Sequence, residues 1–97
     1  MEFNKQLFTV RFVYNQLRLK YYSSDFRKKL FLVSSRNPEW YEKEQMILGK
    51  ITAVIENSIL RGNLSRAVHY LVLMEIQLKK INDRVEEDVK KVLVGLL

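Results

Sequence analysis

The chain has 97 residues, enough for one domain, and is 47% hydrophobic and 29% charged, which is typical of globular proteins and excludes a disordered chain. It contains no cysteine, which excludes disulfide bonds and thiolate metal sites. Its net charge of +6 at pH 7 favours an electrostatic partner surface.

The excess positive charge lies in the first third of the chain. Residues 1–36 contain eight basic and two acidic side chains, a balance of +6, whereas residues 37–97 contain nine of each. We therefore expect the basic surface to be concentrated at one end of an otherwise neutral protein.

Apolar residues recur at spacings of three and four almost throughout, and glycine and proline are rare, so the chain is predicted to be all-α. The first helix covers about residues 3–22. Its predicted buried stripe occupies a sector about 120° wide and consists of Phe3, Leu7, Val10, Val13, Tyr14, Leu17 and Tyr21.

The segment Ser23–Asp25 interrupts this pattern. Serine and aspartate side chains bind backbone amides at helix starts, so either a new helix begins here or a long one bends. The second helix is predicted at about residues 25–34. Its own apolar stripe contains Phe26, Leu30 and Val33.

Helix-start and helix-stop residues place the remaining elements. Asn37 followed by Pro38 predicts the start of a third helix at about 38–61, and Gly62 ends it. A fourth helix follows at about 64–82. Asp83 with Glu86 fits a variant of the capping box, which predicts a fifth helix at about 84–94.

The short connections between these helices favour antiparallel packing of successive elements. Residues 1–97 are therefore predicted to form a single all-α domain, a compact bundle of four to five mostly antiparallel helices.

Side chains suited to catalysis are scarce. His69, the only histidine, lies among apolar residues and is predicted to be partly buried with a satisfied hydrogen bond. The adjacent carboxylates of Glu86, Glu87 and Asp88 point about 100° apart on a helix and are not expected to converge on a cation. The sequence also has no glycine-rich phosphate loop. We expect no enzymatic activity, no cofactor and no metal.

The uninterrupted apolar runs are only a few residues long, and the first residues lack the pattern of a signal peptide. We therefore expect an intracellular, cytoplasmic protein without a membrane partner.

The basic N-terminal third is the candidate nucleic-acid surface. Lysine and arginine neutralise phosphates, and an exposed tyrosine can stack on a base. Arg11 and Arg18 share one flank of the first helix. The predicted nucleic-acid-binding residues are Arg11, Arg18, Lys20, Tyr22, Arg27, Lys28 and Lys29.

A second candidate surface is apolar. Phe8, Phe12 and Leu19 fall in a strip about 40° wide, opposite the predicted buried stripe of the first helix. Aromatic residues beside arginines are typical of interface hot spots. The same strip could instead be covered within the bundle, and the sequence leaves that choice open.

Three functions are compatible with these patterns. The favoured one is a non-enzymatic accessory or adaptor subunit that docks onto a larger protein, with a nucleic-acid-processing assembly for replication or transcription as the favoured setting. The alternatives are direct, sequence-independent binding of DNA or RNA through the basic residues, and a regulatory homodimer.

Overall fold

Four α-helices make up the computed structural model of the chain, which describes residues 2–96 and the side chains of residues 3–96. They are α1 (Glu2–Tyr21), α2 (Ser24–Ser34), α3 (Pro38–Leu60) and α4 (Leu64–Leu96). This part of the chain contains no strand, so the predicted all-α bundle is confirmed, with four helices.

The predicted break after α1 is confirmed. The Ser23 hydroxyl accepts a 3.3 Å hydrogen bond from the Phe26 backbone N–H and caps α2. Pro38 occupies the first turn of α3, although the preceding Asn37 side chain makes no capping hydrogen bond. Gly62 follows α3 with φ of 72°, a conformation that glycine adopts without steric penalty.

The predicted fifth helix is wrong, because α4 continues without a break through Asp83 to Leu96. Asp83 instead accepts a 3.2 Å hydrogen bond from Lys79, one turn earlier on the same helix. Ile81 and Val85 on either side of it are fully buried. Packing of these two residues in the core favours a continuous helix over a new start at the capping residue.

The long helix α4 packs against each of the other three helices. α3 runs antiparallel to it, because Glu44 bonds Gln77 while the earlier Tyr41 bonds the later Asp88. α1 and α2 lie one after the other along α4 and run parallel to it, because Phe3 lies beside Gly62 just before α4 begins, whereas Lys29 of α2 bonds Glu86 in its second half. The molecule measures 58 × 21 × 16 Å, and its long axis is close to the roughly 50 Å expected for a 33-residue helix.

The core draws on all four helices. Its buried apolar members are Val10, Tyr14, Phe26, Val33, Tyr41, Leu48, Ile55, Ala67, Leu71, Met74, Leu78, Ile81 and Val85.

Two residues of the predicted α1 stripe are exposed instead. The ring of Phe3 lies beside Gly62 at the end of the bundle, where few residues cover it. Val13 lies at the edge of the stripe, about 60° around the helix from Val10.

Four polar residues of α3 and α4 are also buried: Glu44, Ser58, Gln77 and Asp88. The Ser58 hydroxyl donates a hydrogen bond to the Val54 carbonyl of its own helix. Gln77 donates hydrogen bonds to the side chain and the backbone carbonyl of Glu44, at 2.6 and 3.0 Å, and Lys80 donates to the same carboxylate at 3.1 Å. One turn further along α4, Arg84 lies 3.2 Å from the buried carboxylate of Asp88. These contacts satisfy groups that would otherwise be costly to bury.

Candidate interaction surface

The outer face of α1 carries three large apolar side chains that are each more than half exposed. Phe8, Phe12 and Leu19 are 70%, 54% and 66% exposed. The two phenylalanine rings stack with their centroids 6.4 Å apart and their planes 19° from parallel. We call these three residues the α1 strip. It lies opposite the buried Val10 and Tyr14, so its exposure follows from helical geometry.

Two arginine side chains lie close to one aromatic ring at the α1–α2 junction. The guanidinium carbon of Arg18 lies 5.7 Å from the Tyr22 ring centroid, and that of Arg27 lies 5.4 Å from it. Both distances are within the range of cation–π attraction. We call Arg18, Tyr22 and Arg27 the Tyr22 cluster. Three of the predicted nucleic-acid-binding residues are thus brought together.

Two further predicted cations belong to the same side of the molecule. Arg11 lies two helical turns before Arg18 on the same flank of α1, and Lys28 lines the groove between α2 and α3 together with Arg27. Among the described residues 3–96, no carboxylate lies within 4.0 Å of Arg11, Arg18, Arg27 or Lys28. Their charge is therefore available to a partner.

The remaining two cations lie apart from the Tyr22 cluster. Lys29 is 2.9 Å from Glu86 on α4 and 3.2 Å from Asp25 on its own helix. The hydrogen bonds to Glu86 and then to Asp25 raise the pKa of Lys29. Lys20 lines the same acid-containing cleft against α4. The basic residues thus form two groups, and the group containing Lys29 is partly neutralised.

The prediction of a partly buried His69 is wrong. His69 is exposed on α4, with its ring edge-on to Tyr70 at 5.4 Å. Its apolar neighbour Val68 is exposed as well, because the first half of α4 has more apolar residues than one helix face can bury. An apolar sequence neighbourhood therefore did not imply burial here.

The adjacent side chains of Glu86, Glu87 and Asp88 on α4 diverge, as expected. Asp88 points into the core, Glu86 pairs with Lys29, and Glu87 pairs with Lys91 on the surface. Among the described residues, no group of three or more histidine, aspartate or glutamate side chains is arranged to hold a metal ion.

Sequence reasoning missed a second exposed apolar surface. Phe31, Leu32 and Met46 line the groove between α2 and α3 and are exposed. The sequence did contain a signal for this surface, because three consecutive apolar residues on one helix, Phe31 to Val33, cannot all point into the protein core. Only Val33 does so.

Comparison with protein-family models, with curated proteins and with solved structures finds no match to this chain. Within the described residues, no helix is both long enough and apolar enough to cross a membrane.

Proposed function

We propose that the chain is a non-enzymatic adaptor subunit that docks onto a larger protein through the α1 strip. The observation that carries this proposal is the stacked pair Phe8 and Phe12, which faces away from the core. Each phenylalanine buries on the order of 150–250 Å² when fully covered, so leaving two adjacent rings in water is costly. A partner surface would remove that cost.

The surroundings of the strip match those of interface hot spots. Arg11 and Arg18 lie on the adjoining flank of α1, and arginine and aromatic side chains are the residues most often found at the centres of protein interfaces. Large exposed apolar groups are also unusual on monomers when they cluster.

A nucleic-acid-processing assembly is the favoured setting for this adaptor. Nucleic acid held by the partner on the Arg18 side of the α1 strip would meet Arg18 and Arg27, which lie together beside Tyr22. These cations would then add phosphate contacts to the complex, while any recognition of the base sequence would come from the partner.

The experiment is quantitative co-purification from the native host with the tagged full-length chain. The double variant Phe8→Ser/Phe12→Ser should lose a stoichiometric protein partner. Ile76→Ser is the matched control, since Ile76 is also exposed but lies on α4, outside the α1 strip. Equal retention of partners by both variants would contradict docking through the strip.

Direct binding of DNA or RNA is the second candidate, favoured by the Tyr22 cluster. It predicts retention of a short oligonucleotide that weakens steeply from low to physiological salt. Arg27→Glu should abolish this retention, and Lys29→Glu, which makes the same charge change, should leave most of it. Absence of binding by the unmodified protein at low salt would eliminate this candidate.

The third candidate is a homodimer joined through the α1 strip and the end of α4, where Leu93, Val94 and Leu96 are exposed. Sedimentation analysis separates it from the adaptor. A dimer that both Leu93→Ser and the double phenylalanine variant convert to a monomer would favour self-association.

A further inference from the structure

A wide groove separates α2 from α3 on the side of the molecule that carries the Tyr22 cluster. Both helices pack against α4 but make almost no contact with each other. The short turn from Ser35 to Asn37 joins them at one end, and Tyr22 lies along the groove. The groove has a volume of about 1540 Å³ and is open along its length.

The floor of the groove includes the buried side chain of Tyr41. Tyr41 is 1% exposed, and its hydroxyl donates a 2.6 Å hydrogen bond to Asp88 of α4. Its ring also packs edge-on against Trp40 with centroids 5.0 Å apart. Moving this side chain out to fill the groove would break both contacts.

The walls of the groove are mostly apolar and face water. Phe31 is 86% exposed, and Leu32 on the same helix and Met46 on α3 are exposed as well. Leucine, methionine and phenylalanine side chains at the edges of a groove are the usual receptors for the apolar face of an amphipathic helix. Methionine in particular adapts its shape to different apolar ligands.

The charge on the α2 wall is positive and unpaired. Arg27 and Lys28 line it, and neither lies within 4.0 Å of a carboxylate among residues 3–96. Arg27 precedes Phe31 by one helical turn, and Lys28 precedes Leu32 by the same spacing. Each apolar contact therefore has a cation one turn away along α2.

From these features we infer that the α2–α3 groove binds an acidic amphipathic helix of another protein. The apolar face of that helix contacts Phe31, Leu32 and Met46, and its carboxylates pair with Arg27 and Lys28. This surface is separate from the α1 strip, and the inference does not depend on the proposed adaptor function.

Two other ligand classes fit the groove less well. Its volume exceeds the roughly 300–1,000 Å³ of typical small-molecule pockets. A nucleic-acid strand needs a series of cations along its phosphates, whereas Arg27 and Lys28 are the two cations that line the groove among the described residues.

The test uses the full chain and a fluorescein-labelled synthetic peptide of about 15 residues, long enough to form a helix. The peptide carries leucines at helical spacing on one face and glutamates elsewhere, and a second peptide replaces every glutamate with lysine. Fluorescence anisotropy should show saturable binding of the acidic peptide. Binding of the basic peptide should be at least about tenfold weaker, because it meets Arg27 and Lys28.

Variants locate the binding on the protein. Phe31→Ser should weaken binding of the acidic peptide by at least about tenfold, as expected for a central interface residue. Arg27→Glu/Lys28→Glu should weaken binding of the acidic peptide and bring the affinity for the basic peptide closer to it. Phe8→Ser/Phe12→Ser on the α1 strip should leave the affinity unchanged, so that this test is independent of the adaptor proposal.

Several outcomes would overturn the inference. One is equal binding of the acidic and basic peptides, and another is binding that Phe31→Ser leaves unchanged. A third is a dimer of the free protein that dissociates on Phe31→Ser, which would make a second copy the occupant. Displacement of the peptide by a short oligothymidylate, lost on Arg27→Glu, would instead assign the groove to nucleic acid.

Discussion

The hydroxyl of Tyr41 on α3 donates a 2.6 Å hydrogen bond to Oδ2 of Asp88 on α4, and both residues are buried. Arg84, whose guanidinium carbon lies 5.1 Å from the Trp40 ring centroid, pairs with the same carboxylate. A buried carboxylate is tolerated only with such partners. The contact therefore requires one alignment of α3 against α4, and it also fixes the floor of the α2–α3 groove.

Removing the Tyr41 hydroxyl and removing the Asp88 carboxylate should lower the free energy of unfolding by different amounts. Tyr41→Phe removes one hydrogen bond to a charged group and should lower the free energy of unfolding by about 1.5–3 kcal/mol. Asp88→Ala leaves the buried Tyr41 hydroxyl without an acceptor and also removes the partner of the partly exposed Arg84, so it should cost more, about 3 kcal/mol. Urea unfolding measures both. Tyr22→Phe, an exposed control, should change the value by less than about 0.5 kcal/mol.

Acid should destabilise the fold through its two buried carboxylates. Burial raises the pKa of Asp88, but the hydrogen bond from Tyr41 and the charge of Arg84 together hold it below its ordinary value of 3.8. The hydrogen bond from Gln77, opposed by burial and assisted by Lys80, lowers the pKa of Glu44 below 4.5. Near pH 4 the unfolded chain therefore binds more protons than the folded one, so stability rises with pH there.

The free energy of unfolding should accordingly be highest near neutrality and should fall as the pH drops from about 5 towards the depressed pKa values. Urea titrations at several pH values measure the slope. Glu44→Gln should reduce it, since one of the two groups no longer titrates. A slope that is unchanged in Glu44→Gln would show that other carboxylates cause the acid sensitivity.

The positions of α1, α2 and α3 and the start of α4 followed directly from the sequence, because apolar periodicity and terminal residues such as Pro38 and Gly62 are local signals. The buried polar contacts could not be foreseen, since Glu44 and Asp88 have the same spacing on a helix whether they face water or a partner. The same limit explains Phe31, whose exposure depends on α3 diverging from α2. Periodicity reports which face of one helix is apolar, and not whether another helix covers it.

Caps illustrate where local signals and packing disagree. Ser23 caps α2 in the structure, so Ser23→Ala should lower the free energy of unfolding by about 1 kcal/mol. Asp83 has the sequence context of a cap but lies within α4, in an exposed pair with Lys79. Asp83→Ala should therefore cost less than about 0.5 kcal/mol. Equal losses in thermal or urea unfolding would favour a real helix boundary at Asp83.

Two glycines should respond oppositely to alanine. Gly62 has a positive φ of 72°, which a residue with a Cβ adopts only with steric strain, so Gly62→Ala should destabilise the protein by about 1 kcal/mol. Gly49 lies within α3, and a Cβ there would meet nothing within 4 Å. Gly49→Ala should stabilise it by about 0.5–1 kcal/mol. Urea unfolding tests this prediction: relative to the unmodified protein, the free energy of unfolding should fall in Gly62→Ala and rise in Gly49→Ala.

The exposure of the α1 strip leads to a last prediction that separates binding from folding. Phe8→Ser and Phe12→Ser remove side chains that face water, so each should change the free energy of unfolding by no more than about 0.5 kcal/mol. Phe26→Ala removes a buried ring and should cost about 3–5 kcal/mol. Circular dichroism with urea unfolding compares the three variants. A loss at Phe8 as large as that at Phe26 would mean that the strip stabilises the fold itself, and the loss of a partner by the serine variants would then reflect unfolding rather than a missing contact.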